Sequence, residues 1–70
     1  MSKQERDKSY FVTFCIEQYK NRKGMSGGDV VSLFDKYGVL EYLYDNFEAL
    51  HTQSHHWILD DIDEFIENRK

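Results

Sequence analysis

The chain contains 70 residues, of which 40% are hydrophobic and 16% aromatic, with no proline and a net charge of −4. So short a chain allows one domain, and its apolar content excludes a disordered protein. No apolar run approaches the ~18 residues of a membrane span and no signal peptide is recognisable. We therefore expect a cytoplasmic protein whose single cysteine, Cys15, stays reduced.

The first predicted helix covers about residues 4–23 and is the element onto which the others pack. Residues 1–9 are polar and predict frayed first turns, whereas residues 10–19, YFVTFCIEQY, repeat apolar side chains at the helical period. Basic residues fill the last turn, where the helix dipole favours cations, and Gly24 ends the helix. The buried stripe that this pattern predicts contains Phe11, Val12, Phe14, Cys15, Ile16 and Tyr19.

Two further helices follow with almost no linker between them. Ser26 and Asp29 form a capping pair for a helix over Gly27–Tyr37, and Gly38 separates it from a third helix over about residues 39–51. So tight a glycine turn predicts a corner rather than a long hairpin. The apolar faces expected to be buried are Val30, Val31, Leu33, Phe34 and Tyr37 on the second helix and Val39, Leu40, Leu43, Phe47 and Leu50 on the third.

The last part of the chain predicts a loop followed by a fourth helix. Residues 52–56 are polar, and residues 56–59 could be extended or could begin the helix, because periodicity cannot distinguish the two over so short a run. Asp60 or Asp61 is a suitable N-cap for a helix over about residues 61–68. The expected fold class is therefore all-α, a small four-helix single domain with a helix–Gly–helix corner. The apolar side chains that the last helix offers to the core are Ile62, Phe65 and Ile66.

No cluster of residues predicts catalysis, a cofactor or a metal centre. His51, His55 and His56 could bind zinc, but their spacing matches no strong motif, and polar loop histidines explain them better. The acidic run that begins at Asp60 lacks the alternating ligands and central glycine of a calcium loop. The glycines before the second helix lack the lysine of a phosphate loop, and Cys15 has no base near it in sequence. We therefore expect a protein that is not an enzyme.

A helix-turn-helix DNA-binding regulator is the alternative function that the helix–Gly–helix pattern allows. Lys20, Arg22 and Lys23 would add affinity for phosphates, although their place at a helix end explains them better. The third helix presents acidic residues where a DNA reader needs Arg, Lys, Asn or Gln. Phe34 is also bulky where that motif has a small residue. Nucleic-acid binding is therefore the less favoured prediction.

Three segments carry a resemblance to a known family. They read FVTFCIEQYKNRKGMSGGDV, LFDKYGV and EALHTQSHHWILDDIDEFI, at residues 11–30, 33–39 and 48–66. In these segments the chain resembles a bacterial domain-of-unknown-function family of very short proteins, family 3791, which has no established activity or catalytic residues. Members are often encoded beside proteins resembling ADP-ribosyltransferase toxins, so the resemblance implies an antitoxin-like or accessory role.

The second half of the chain predicts a protein-binding surface. Residues 1–38 carry seven basic and five acidic side chains, a net charge of +2, whereas residues 39–70 carry two and eight, a net charge of −6. So acidic a surface should attract a basic protein, such as a toxin, and a homodimer is also allowed. The aromatic and acidic side chains expected at this interface, at or beyond the edge of the buried faces, are Tyr42, Tyr44, Trp57, Asp61 and Glu64.

Overall fold

A computed structural model describes residues 3–70, in which every regular element is a helix. The described part of the chain contains no strand, so the predicted all-α class is confirmed. Residues 1 and 2, which begin the segment predicted to fray, lie outside the described residues. The helices in chain order are α1 (Lys3–Lys23), α2 (Gly27–Tyr37), α3 (Val39–Asp45), α4 (Phe47–Leu50) and α5 (His55–Glu67).

Local capping interactions begin and end α2 where the sequence predicts. The Ser26 hydroxyl accepts a hydrogen bond from the backbone N–H of Asp29 at 3.1 Å, which satisfies one of the donors left over at a helix start. Gly24 and Gly38 follow α1 and α2 with φ of 66° and 75°. This is the left-handed conformation that ends a helix and that glycine adopts without strain.

The core lies between α1 and the helices that pack against it, which are α2, α3 and α5. Two edge-to-face ring pairs join α1 to other helices: Tyr19 packs on Phe34 of α2, with centroids 5.1 Å apart, and Phe11 packs on Phe47 of α4, at 5.5 Å. Phe34 has no exposed surface, as predicted. The buried side chains are Phe11, Cys15, Tyr19, Val30, Phe34, Val39, Leu43, Phe47, Leu50, Ile58, Leu59, Ile62 and Ile66.

Two apolar side chains that were predicted for the core lie at the surface. Phe14 is 44% exposed and Val31 is 43% exposed. Phe14 lies beyond the edge of the stripe that α1 turns towards the core, and its ring meets His55 edge-on with centroids 6.3 Å apart. The prediction was wrong because a projection of one helix shows which residues are apolar, not which of them a neighbouring helix covers.

The predicted third helix is divided at Asn46 into α3 and α4, so residues 3–70 form five helices, of which four have seven residues or more. Asn46 has φ of −109°, and its side-chain amide donates to the Tyr42 carbonyl at 2.9 Å. The Asn46 backbone N–H bonds the same carbonyl at 3.1 Å, so both donors of Asn46 satisfy an acceptor at the end of α3. The helix resumes at once, and Leu43, Phe47 and Leu50 are all buried as predicted.

The N-cap of α5 is Ser54. The predicted N-cap, Asp60 or Asp61, was therefore wrong. Ser54 has extended backbone angles, and its hydroxyl accepts a hydrogen bond from the backbone N–H of Trp57 at 3.3 Å. Serine and aspartate are equally good capping residues, and Ser54, which the prediction did not consider, lies where the chain leaves α4 and turns towards the core.

This earlier start changes which residues α5 contributes. His55 and His56, predicted to lie in the loop, form the first turn, and residues 56–59 are helical rather than extended. Ile58 and Leu59 are consequently buried beside the apolar residues predicted for this helix. The longer α5 also presents a longer outer face.

Candidate protein-binding surface

The outer face of α5 holds an aromatic side chain among carboxylates. Trp57, Asp60, Asp61 and Glu64 line a shallow depression of about 220 Å³, named here the α5 depression. Their spacing of three and four residues places them on one side of the helix, away from its buried residues. Three of the five predicted interface residues therefore meet at one place.

Trp57 is the apolar centre of the α5 depression. Its side chain is 47% exposed, although tryptophan is highly buried on average in folded proteins. The Ser54 cap fixes the backbone from which the indole projects. The uncovered ring can make apolar contacts and can hold a cation against its face.

The Asp61 side chain is restrained by a hydrogen bond from Tyr42, which lies on α3. The Tyr42 hydroxyl donates to Asp61 Oδ2 at 2.6 Å, and the Tyr42 ring stacks on Phe65 with centroids 4.3 Å apart. Burial, followed by this hydrogen bond, raises the pKa of Tyr42 to about 12, so the hydroxyl remains a donor at neutral pH. Tyr42 is itself partly buried, and its hydrogen bond restrains the Asp61 carboxylate.

The carboxylates of the α5 depression differ in the hydrogen bonds and ion pairs that they make within the chain. Asp60 is paired with Arg22 at 2.9 Å, and Asp61 accepts from Tyr42. The Glu64 side chain is exposed, and within residues 3–70 its carboxylate is not paired with a cation, whereas its backbone carbonyl accepts from the Asn68 N–H at 3.0 Å. The Glu64 carboxylate and the second oxygens of Asp60 and Asp61 are thus acceptors open to a partner; the Asp60 side chain is 72% exposed despite its pair with Arg22. The sequence prediction missed Asp60, which the three-residue spacing from Trp57 would have shown had α5 been predicted to begin at Ser54.

Tyr44 does not line the α5 depression. It lies on α3 and is 37% exposed, and the Lys8 ammonium is 4.8 Å from the centroid of its ring. The structure therefore leaves this predicted interface residue apart from the other four.

The flank of α5 that faces α1 is anchored by buried and charged contacts. The Tyr19 hydroxyl donates to Asp63 Oδ1 at 2.8 Å, and Lys23 pairs with the same carboxylate at 3.2 Å. Burial, and then the bond to Asp63, raises the pKa of Tyr19 well above its usual value. The α5 depression is therefore carried by a helix that is bonded on both sides, to α1 through Asp63 and to α3 through Asp61.

The basic end of α1 is already occupied by carboxylates of the same chain. Lys20 pairs with Glu17 at 3.0 Å, and Arg22 and Lys23 pair with aspartates of α5 at 2.9 and 3.2 Å. A protein that binds DNA needs cations that can reach the phosphates. The three residues that would add phosphate affinity in the DNA-binding alternative each make an ion pair at the surface of the fold.

The histidines and the cysteine do not come together in a chemical centre. The ring of His51 stacks on Phe47 with centroids 4.4 Å apart, and the rings of His55 and His56 are 4.1 Å apart. Within residues 3–70, no three side chains of His, Cys, Asp or Glu are grouped as a metal ion would require. Cys15 is 1% exposed, and burial raises the pKa of its thiol to about 12.

Comparison with known proteins identifies one family. The family model described as "Protein of unknown function (DUF3791)" matches residues 10–69, which include the whole of the α5 depression. Searches of the curated proteins and of the solved structures find no match. In residues 3–70, no helix combines the length and the apolar character of a membrane span.

Proposed function

Because the chain belongs to the DUF3791 family, whose description assigns no activity, we propose its function from its own surface. It is a non-enzymatic module that binds a basic site on another protein through the α5 depression. The observation that carries this proposal is the half-exposed indole of Trp57, bordered by the Asp61 and Glu64 carboxylates. An aromatic ring beside carboxylates suits a lysine or arginine side chain, which can lie on the ring while its charge is paired.

The members of the site would contribute in different ways. Trp57 would supply most of the affinity, since tryptophans at the centre of an interface are frequent hot spots. Glu64 would mainly speed the encounter, because an exposed charge steers a partner of opposite sign. Asp61 would fix the orientation of the bound cation, since the Tyr42 hydroxyl already holds its carboxylate. The net charge of −6 on residues 39–70 supports attraction over a longer range.

The first partner to test is a toxin-like protein encoded beside the chain. The resemblance of the chain to a family whose members are often encoded beside ADP-ribosyltransferase-like toxins supports this choice. An antitoxin-like or accessory role would place both proteins in the cytoplasm. A single buried thiol, Cys15, fits such a reducing compartment.

The test is the affinity of the purified chain for the product of the neighbouring gene, measured by calorimetry at low and at physiological salt. Trp57→Ala should weaken binding by ~30-fold or more, the effect of losing a hot spot of ~2 kcal/mol. Glu64→Arg should weaken it mainly at low salt, because exposed charges are screened as ionic strength rises. Val31→Ala, on α2 and 43% exposed, is the matched control and should bind like the unaltered chain.

All variants must show the same helical circular dichroism signal, so that differences in affinity do not reflect differences in folding. Glu64 is the residue reversed, because reversal of Asp61 would also break its hydrogen bond to Tyr42. If Trp57→Ala binds as tightly as Val31→Ala, the α5 depression is not the binding site. If the neighbouring gene product forms no complex with the chain, the toxin assignment is wrong.

A further inference from the structure

The outer face of α1 carries an aromatic ridge that the fold leaves uncovered. Tyr10 is 71% exposed, more than any other large hydrophobic side chain in residues 3–70, and Phe14 is 44% exposed. Because the two are four residues apart, they lie on the same side of α1. Neither lines the α5 depression, so this α1 ridge, Tyr10 and Phe14, is a second surface.

A groove of suitable shape for helix packing lies beside the ridge. Arg6, Ser9, Tyr10 and Thr13 line a shallow depression of about 260 Å³. Residues at these spacings form the four-sided hole that receives a side chain from a facing helix. The lining combines a guanidinium with two hydroxyl-bearing residues and a phenol ring. The groove therefore suits an acidic side chain.

We propose that the facing helix is α1 of a second copy, packed antiparallel against the first. With the two-fold axis at the level of residue 12, Tyr10 lies beside the partner's Phe14. In the same arrangement Arg6 lies one residue, ~1.5 Å along the helix, from the level of the partner's Glu17, which supplies the acidic side chain that the groove suits. A two-fold axis makes each of these contacts twice. Glu17 can take part because its side chain is 56% exposed and its local pair with Lys20 is a weak surface pair.

Charge complementarity favours a second α1 as the helix that packs on the groove, and it favours the antiparallel orientation over the parallel one. A parallel pair of α1 helices would place Arg6 against Arg6 and Glu17 against Glu17, which repel, whereas the antiparallel pair brings opposite charges together. α1 is ~31 Å long, so a single helix pair buries less than the ~800 Å² per partner of a standard interface. We therefore expect a weak, concentration-dependent dimer that leaves the α5 depressions of both copies open.

Sedimentation velocity of the full chain tests the dimer over ~5 to ~500 µM, the range that brackets a weak interface. The sedimentation coefficient should rise from that of a monomer towards that of a dimer. Arg6→Glu and Glu17→Arg should each weaken the dimer by ~10-fold or more, since each creates two like-charge contacts. The double variant should restore it. Glu41→Arg changes an exposed acid on α3 by the same charge and should leave the dimer intact.

The rescue separates this proposal from a loss of folding, because a misfolded chain would not recover when a second charge is reversed. A chain that stays monomeric over the whole range overturns the proposal, and so does a dimer that neither single variant weakens. The direction is tested by oxidation of introduced cysteines. Thr13→Cys lies near the axis and should form a disulfide-linked dimer, whereas two Asn21→Cys residues would be ~27 Å apart along the helices. Cross-linking through Asn21→Cys overturns the antiparallel arrangement.

Discussion

Phe34 and Phe14 are the same residue type in two environments that the apolar pattern does not distinguish. Phe34 has no exposed surface, and its ring packs edge-on against Tyr19 at 5.1 Å. Phe14 is 44% exposed and lies against the edge of His55. Replacement of each by alanine therefore measures what tertiary packing adds to an apolar side chain.

The loss of stability expected for each alanine variant follows from how far the phenylalanine ring is buried. Phe34→Ala should lower the free energy of unfolding by ~3–5 kcal/mol, because it removes a fully buried ring and leaves a cavity. Phe14→Ala should cost only ~1 kcal/mol, about half of the ~1.5–3 kcal/mol for complete burial, since solvent fills the space that the ring leaves. A chain of this length is stable by ~4–10 kcal/mol, so Phe34→Ala should be close to unfolding at room temperature.

Urea unfolding followed by far-ultraviolet circular dichroism gives both values. If the slope with urea is unchanged, the shift in midpoint reports stability alone. Phe14→Ala should lower the melting temperature by ~4–8 °C and retain a cooperative transition. Equal costs for the two variants would refute the reasoning, because they would mean that Phe14 is packed as tightly as Phe34.

Three further predictions concern backbone conformation, alkaline pH and the thiol. Gly38→Ala should destabilise by ~1–2 kcal/mol because of its left-handed φ of 75°, whereas Gly28→Ala, inside α2, should stabilise by ~0.5–1 kcal/mol. A Cβ at either position meets no atom within 4 Å, so equal signs in thermal melts would contradict this conformational account. The fold raises the pKa of Tyr42 from 10.0 to about 12, so the stabilisation from its neutral hydroxyl is complete below pH 10 and is lost as the pH rises through 12. Tyr42→Phe should remove that part of the alkaline decline in urea midpoint, and an unchanged decline would show that Tyr42 does not cause it. Cys15 is 1% exposed, so a thiol reagent should label it at the rate at which the chain unfolds, and prompt labelling without urea would contradict its burial.

The α5 depression was predictable in its residue types but not in its arrangement. Exposed aromatic and acidic residues in the second half of the chain led to Trp57, Asp61 and Glu64, which do line one depression. Tyr44 met the same criteria and lies elsewhere, and Asp60 was missed. The difference arises because an aromatic near the edge of a helical stripe can lie on either side of it. Which side is open depends on the neighbouring helices.

The sequence by itself determined the features that depend on a few adjacent residues. Ser26 caps α2, and Gly24 and Gly38 follow α1 and α2, because capping and the left-handed conformation are decided by local side chains and backbone angles. The helical period likewise identified most of the buried residues, Phe34 and Leu43 among them.

Only the tertiary structure decided the features that need two distant segments to meet. Residues of α1 and α5 that are 44 positions apart form the Tyr19–Asp63 bond, and no local pattern predicts such a pair. The start of α5 at Ser54 and the exposure of Phe14 have the same origin. Ser54 and Asp60 are equally good caps in isolation, and Phe14 is as apolar as its buried neighbours, so the choice depended on which residues the other helices could cover.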